Sequence, residues 1–353
     1  MTSFSSMFHE VLERTGIPSD GISVIHLNRS ITSEVHLASL VFLPPQTYPS
    51  MIIKSTTDHI SALSFKDEFE TLSRFRDCDN AGLSTSVSAP LCLLEKDGLS
   101  MFAQAGLPGT TMSSFPSDRY FKSKRFQRHF ASIVQWVYLL HSRFGTASIE
   151  LSDNDRQLLL LQPIADYRRI FTVSPALDTL LDETAATLSQ TRVPLTPWHG
   201  DFCTSNILIG RRGRISVIDW EYPFVNTWPL CDLLHFMTSI FCVPSTAGAE
   251  VLPENYGRLF FQRTEFSALL NTWIKWYFDK LSLHVDLLLP LSVMAWVLHA
   301  IRKAEFIEAS GLSIGDDPRE APRPLTMFRD SACVNLEMIA AHRDDYFKID
   351  ARR

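Results

Sequence analysis

The sequence predicts an α+β protein of two lobes, a small strand-rich N-terminal lobe over residues 1–103 and a larger, mainly helical lobe over residues 104–353. Three observations predict this. The first hundred residues carry several short β-rich runs separated by turn signals, with little helical patterning between them. After Gln104 the apolar spacing changes to a helical period. One short apolar hairpin then interrupts the helical part, at residues 207–218.

Taken in order, Phe8, Val11 and Leu12 mark a short amphipathic turn ending near Gly16. Ile22 to Leu27 and Val35 to Phe42 read as strands, and after the Pro44-Pro45 break Ser50 to Lys54 reads as a third. Phe65, Phe69, Leu72 and Phe75 have helical spacing. Leu91 to Leu94 and Ser100 to Ala103 are two strands around a Lys96-Asp97-Gly98 turn. The lobe boundary falls near residues 103–108. Beyond it, Phe130 to Leu140 marks one helix face, and Asp166 to Ser189 is helical in large part. Ile207 to Ile209 and Ile215 to Ile218 flank Gly210-Arg211-Arg212-Gly213, a hairpin signal. From Leu230 onward the chain is mainly helical, apart from a polar loop at residues 311–324.

Composition removes several function classes. The chain has 353 residues, 45% hydrophobic and 20% charged, and a mean hydropathy of +0.02. Such a chain buries a core without disulfide staples. The net charge of −6 and pI near 6.0 provide no global basic field for nucleic acid or an anionic membrane. The six cysteines are scattered, with no C-x-x-C pair and no zinc-ligand spacing, as expected of free thiols in a reducing compartment. No basic, apolar leader opens the sequence. The most apolar stretch, Leu287 to Ile301, is too short for a bilayer span of about 20 residues. The expectation is a soluble, cytoplasmic protein.

The chemistry is concentrated in His199-Gly200-Asp201-Phe202-Cys203-Thr204-Ser205-Asn206, the hairpin, and Asp219-Trp220-Glu221. Asp201 lies on a polar loop just ahead of a strand. Asn206 stands where that loop enters the strand, and Asp219 where the returning strand ends. A hairpin makes neighbours of the start of one strand and the end of the next. An amide oxygen and a carboxylate then stand together, a hard-oxygen pair suited to Mg²⁺. Asp201 is left as a base able to accept a hydroxyl proton. Phosphoryl transfer asks for positioning and charge neutralisation of this kind.

These residues resemble the aminoglycoside phosphotransferase and choline kinase family, whose signature is H-G-D-x-x-x-x-N followed by an I-D-W/F-E element. Here the match is His199-Gly200-Asp201, Asn206 and Asp219-Trp220-Glu221, with Pro229 and Asp232-Leu233 following. The resemblance implies a protein-kinase-like fold and transfer of the γ-phosphoryl group of Mg-ATP to a hydroxyl of a small molecule. It assigns Asp201 as catalytic base and Asn206 and Asp219 as Mg²⁺ ligands. Lys54 matches the phosphate-binding lysine and Glu68 the glutamate that braces it, with Glu70 as the competing choice. The stretch 102–109, with Gln104 and Gly106, resembles the hinge that binds adenine. His199 and Asp232 are read as supporting the catalytic loop, and Glu221 as touching substrate or bracing that loop. The acceptors it allows are amino sugars, other sugars, choline-like amines and hydroxy amino acids such as homoserine. One departure is that Asn28 to Glu34, where the phosphate-covering loop is expected, holds no glycine; Ser30, Thr32 and Ser33 offer other donors.

An aspartate before a strand is commonly a turn residue, and Cys203 has no placed base to activate it. The aromatics Trp220, Tyr222, Phe224, Trp228, Trp273, Trp276 and Tyr277 are read mostly as core. Gly311-Leu312-Ser313-Ile314-Gly315 matches the hydrolase G-x-S-x-G pattern but lacks the strand–turn–helix context. No D-F-G or A-P-E element follows Asp219, against a protein kinase. The alternative class is a non-catalytic nucleotide-binding protein of the same fold.

Overall fold

The structure is a computed structural model that describes residues 3–29, 36–78, 80–115, 120, 122–220, 225–240, 252–309 and 323–347. Its contacts divide the chain into two compact units. The first holds residues 1–133 and 204–224, the second residues 134–203 and 225–353. The expected lobe boundary at 103–108 follows the end of the strand-rich segment. The contact division also places the 207–218 hairpin in the first unit.

The first unit is built on an antiparallel five-stranded sheet of order β1-β2-β3-β5-β4. Its strands are β1 (Ser23–Arg29), β2 (His36–Phe42), β3 (Met51–Thr56), β4 (Pro90–Lys96) and β5 (Leu99–Ala105). Helix α1 (Phe4–Thr15) starts at Ser3, whose side chain accepts the Ser6 N–H, and ends at Gly16 in the left-handed conformation (φ 69°). Met7, Phe8, Val11 and Leu12 of α1 pack on Val41, Met51, Ile53, Met101 and Ala103 of the sheet. Strand side chains alternate between faces. Ile53 and Ala103 therefore face α1, and the register partners Lys54 and Phe102 face the other way. That face meets α2 (His59–Arg76), through Phe65 and Phe69 at 6.3 and 6.1 Å from the Phe102 ring. Helix α2 begins six residues before Phe65, because Asp58 caps it by accepting the Ser61 N–H at 2.6 Å.

Strands β8 (Ile207–Ile209) and β9 (Ile215–Val217) form the hairpin, and β6 (Thr110–Thr111) pairs with β8. The Val217 N–H donates to the Ser86 carbonyl at 2.8 Å, and Arg214 to Thr85 at 2.8 Å. Trp220 lies 4.7 Å from the Phe75 ring of α2. The hairpin is thus fastened to the segment that ends in β4.

Among its described residues the second unit is mainly helical, with a short pair of β7 (Thr196–Pro197) and β10 (Asn226–Thr227). Helix α3 (Lys124–Phe144) runs from the first unit's residues into the second's. Next come α4 (Gln162–Ile170) and α5 (Pro175–Ser189), followed after residues 190–230 by α6 (Cys231–Ser239), α7 (Leu252–Phe260) and α8 (Glu265–Leu281). Helices α9 (Leu288–Ala309) and α10 (Arg323–Ala341) complete the unit. The stretch 166–189, expected to be helical in large part, is divided between two helices, because Ser174 caps a new start with Pro175 at its first position. Helix α9 is the central element, packing on α4, α5, α6 and α10. The apolar stretch runs further than its sequence suggested. Val285–Glu305, 21 residues, is long and apolar enough to cross a membrane, and most of it is buried inside the protein. Arg323 and Pro324 of the expected 311–324 loop open α10. The rest of that loop, with the Gly311–Gly315 pattern, lies outside the described residues, as do residues 30–35.

Candidate active site

In the first unit, Lys54 is the central charge. Its Nζ lies 2.7 Å from Glu68 Oε2 and 2.8 Å from Asp219 Oδ1. Glu68 shares a face of α2 with Phe65, Leu72 and Phe75, at helical spacing. That face is buried, so Glu68 is fully enclosed, while Glu70 is exposed. Burial pushes the Glu68 carboxyl above its ordinary range; the Lys54 ammonium pulls it back and the nearby Asp219 charge raises it further. Gln104 donates from Nε2 to Glu68 Oε1 at 3.3 Å. Its side chain therefore braces Glu68, an arrangement its position in the hinge motif gave no reason to expect.

The hairpin register pairs Ile207 with Val217. One step outward, the Ile218 N–H donates to the Asn206 carbonyl at 3.0 Å. Asn206 is buried. Asp219 leaves the strand with φ 70°, a left-handed conformation that aspartate tolerates better than branched residues. Gly106 has a packing reason: a Cβ there would stand 1.7 Å from the Pro49 carbonyl oxygen. Its N–H donates to Ser50 O at 2.9 Å, and that of Ala105 to Ala89 O at 2.8 Å. Any adenine contact from the hinge stretch must therefore use other backbone groups. Glu221 lies outside the described residues.

In the second unit, the loop carrying Asp201 is held by Asp232 in the first turn of α6. The Asp232 carboxylate accepts the His199 N–H at 2.8 Å and the Gly200 N–H at 3.2 Å. Gly200 adopts φ 83°, where a side chain would be strained. The Asp201 N–H donates to His199 Nδ1 at 3.3 Å, and the Asp201 carbonyl accepts the Cys203 N–H at 2.9 Å. Phe202 anchors the loop in the core, stacked on Trp136 at 5.6 Å and 5.9 Å from Phe236. Burial raises the Asp232 carboxyl to about 7; the two backbone donors and Arg302 oppose the shift, and Asp201 adds to it.

Around the Asp201 side chain stand residues that the sequence did not single out. Lys303 Nζ of α9 lies 3.5 Å from Asp201 Oδ1. His235 Nε2 of α6 lies 3.9 Å from the same oxygen. The Cys203 thiol faces Oδ2 at 3.9 Å. His235 Nδ1 and His299 Nε2 are 3.1 Å apart, both rings buried. Burial lowers His235 to about 4, with Asp201 opposing and Lys303 and His199 assisting, and it lowers His299 further. Both imidazoles are therefore neutral at pH 7, one donating to the other. The donor atoms of Asp201, Cys203 and His235 lie within 4.8 Å of one another. The Lys303 ammonium on that same carboxylate opposes a metal ion there. No sequence signal could have found Lys303, His235 and His299 around Asp201, since they meet only through the packing of α6 on α9. Of the aromatics, Trp220, Trp228 and Tyr277 are buried core, and Tyr222 and Phe224 lie outside the described residues.

Residues 46–265 match the phosphotransferase enzyme family. The chain belongs to that family. Among solved structures, a spectinomycin phosphotransferase in complex with ADP and spectinomycin is 11% identical, with TM-score 0.51, over 96% of this chain and 99% of that one. The choline kinase of Streptococcus pneumoniae is 14% identical, with TM-score 0.52, over 94% and 99%. A macrolide 2'-phosphotransferase from Brachybacterium faecium is 13% identical, with TM-score 0.54, over 94% and 97%. No curated protein matches. At these identities the likeness is one of fold, and it makes this phosphotransferase-family chain a kinase-like α+β protein. The matched stretch holds Lys54, Glu68, Asp201, Asn206, Asp219 and Asp232, and it ends before His299 and Lys303.

Proposed function

We infer that the protein transfers the γ-phosphoryl group of Mg-ATP to a hydroxyl of a small molecule. The observation that carries this reading is the half-buried Lys54, braced by Glu68 at 2.7 Å and standing 2.8 Å from Asp219. An ammonium fixed beside a carboxylate, with the buried Asn206 on the adjoining strand, is a donor set that fits a metal-bound triphosphate. Lys54 binds phosphate oxygens, with Glu68 holding its side chain and Gln104 bracing Glu68. Asn206 and Asp219 hold Mg²⁺, which when bound neutralises charge on the phosphates. Asp201, fixed on a loop tied to Asp232 and Phe202, orients the acceptor hydroxyl and takes its proton. His199 supports that loop through the Asp201 N–H, and Glu221 touches the acceptor or braces the loop. The acceptor classes are amino sugars, other sugars, choline-like amines and hydroxy amino acids.

The test is ADP release from Mg-ATP against a panel of those compounds, with protein substrates as controls. Asp201→Asn is expected to keep nucleotide binding and to lose about 10²–10⁴-fold in turnover, the usual worth of a general base. Turnover of Asp201→Asn at the wild-type rate overturns the role given to Asp201. Nucleotide binding without ADP release for any acceptor favours the non-catalytic reading, for which the glycine-free stretch 28–34 speaks.

A further inference from the structure

We propose that Lys303 is a positioning residue for Asp201, pinning carboxylate oxygen Oδ1 so that Oδ2 is presented to the acceptor hydroxyl. The inference rests on the reading of Asp201 as the base.

Lys303 Nζ stands 3.5 Å from Asp201 Oδ1, with the lysine side chain 12% exposed and that of Asp201 34% exposed. A lysine held this far out of water on the long, buried helix α9 has given up solvation and side-chain freedom. The carboxylate beside it is the opposite charge that offsets this cost. His299 and Lys303 are four residues apart on α9, and Asp232 and His235 three apart on α6, so each pair shares a helix face. The two helices pack together and deliver all four side chains to the same loop.

Several titratable or charged groups of the described residues face the Asp201 carboxylate. Lys303 comes from α9, Asp232 and His235 from α6, and His199 and Cys203 from the loop itself. Asp232 is committed to two backbone donors, and burial keeps His235 neutral. Lys303 is a standing positive charge against Asp201 Oδ1. It touches Oδ1, as His235 does at 3.9 Å, while Oδ2 has the Cys203 thiol at 3.9 Å. A carboxylate fixed at one oxygen by a cation cannot swing freely. Misplacing a reacting group by an ångström costs about 10²-fold in rate. Lys303 lies beyond the family-matched residues 46–265, so this support is a feature of the chain's own C-terminal helices.

The experiment compares the wild type with K303M, K303R, D201N and D201N/K303M. ADP release from Mg-ATP is followed with water as acceptor, and again with the best hydroxyl compound of the panel. K303M is expected to lower kcat by about 10–100-fold with KM for ATP within about twofold. The acid limb of its kcat/KM profile moves up by about one pH unit, as follows from removing a cation beside a carboxylate. K303R, which keeps the charge, restores most of the rate and the wild-type acid limb. D201N/K303M is no slower than D201N, because the lysine acts through the aspartate. Wild-type turnover in K303M, or a K303R enzyme as slow as K303M, overturns the proposal. Should K303M fail to fold, K303Q takes its place. Unfolding of both neutral variants beside a fully active K303R assigns Lys303 a merely structural role and also overturns it. Wild-type turnover in D201N sinks the reading of the base itself. An inactive D201N beside an unaffected K303M sinks the lysine alone.

Discussion

Replacing Asp232 with alanine strands two backbone donors in the core. The carboxylate is 2% exposed and accepts the His199 N–H at 2.8 Å and the Gly200 N–H at 3.2 Å. A buried N–H left without a partner costs about 1–3 kcal/mol, so the pair is worth about 2–6 kcal/mol. A second contribution has the opposite sign and depends on pH. The Asp232 carboxyl is raised from 3.8 to about 7. A carboxyl raised on folding favours the folded state most when it is protonated. Its contribution is complete below 3.8 and is lost as pH climbs through about 7. A displacement of that size is worth roughly 4 kcal/mol. Between pH 5 and pH 8, Asp232→Ala therefore costs most at pH 5, and its cost shrinks towards pH 8, where the wild type carries a buried charge that the variant lacks. Urea unfolding at pH 5, 6.5 and 8, with linear extrapolation at each, measures this. A cost below about 0.5 kcal/mol at pH 5 would mean that the two N–H groups find other partners. A cost that stays level or grows with pH would refute the burial argument.

Further outcomes follow from the same geometry. Gly106→Ala drives a Cβ to 1.7 Å from the Pro49 carbonyl, a backbone atom that cannot step aside. It is expected to destabilise by about 3 kcal/mol or more, read as a lowered urea midpoint or loss of soluble protein. Asp219→Ala is expected to weaken binding of a non-hydrolysable ATP analogue about tenfold or more in Mg²⁺, or about 1.4 kcal/mol, by titration calorimetry. With EDTA present the difference from wild type should largely vanish, and its persistence would show that Asp219 serves something other than the metal. Tyr277→Phe removes the 2.6 Å bond between its hydroxyl and His141 Nδ1. Because burial holds His141 near 3 and hence neutral, its ring nitrogen loses this buried partner and the cost should be about 1–3 kcal/mol, with activity unchanged.

What the sequence revealed were features set by neighbours along the chain. Asn206 and Asp219 are brought together by a two-strand hairpin whose turn residues, Arg212 and Gly213, are visible as such. Glu68 could be preferred over Glu70 because α2 has a single apolar stripe, with Glu68 on it. The N-terminal extension of α2 was missed because the apolar spacing begins at Phe65, whereas the start is set by a polar cap, Asp58. The break at residues 171–174 was missed for the same reason, with Ser174-Pro175 carrying the signal. Lys303, His235 and His299 were out of reach for another reason. They stand 102, 34 and 98 residues from Asp201 in sequence. Their convergence depends on how two buried helices pack, which periodicity does not encode. The Lys54–Asp219 contact was equally hidden, because it needs both the sheet register and the docking of the hairpin on residues 85–86.

Lys54 also works as a wedge. Glu68 and Asp219 are two acids within electrostatic reach of each other, and the lysine is inserted between them with a contact to each. Swapping it for methionine does more than delete a phosphate ligand. It turns a cation-bridged pair of acids into a bare like-charge couple with one member sealed from water. An inactive Lys54 variant therefore reports two injuries at once, and Glu68→Gln made in the same chain should heal the conformational one while leaving the enzymatic one untouched.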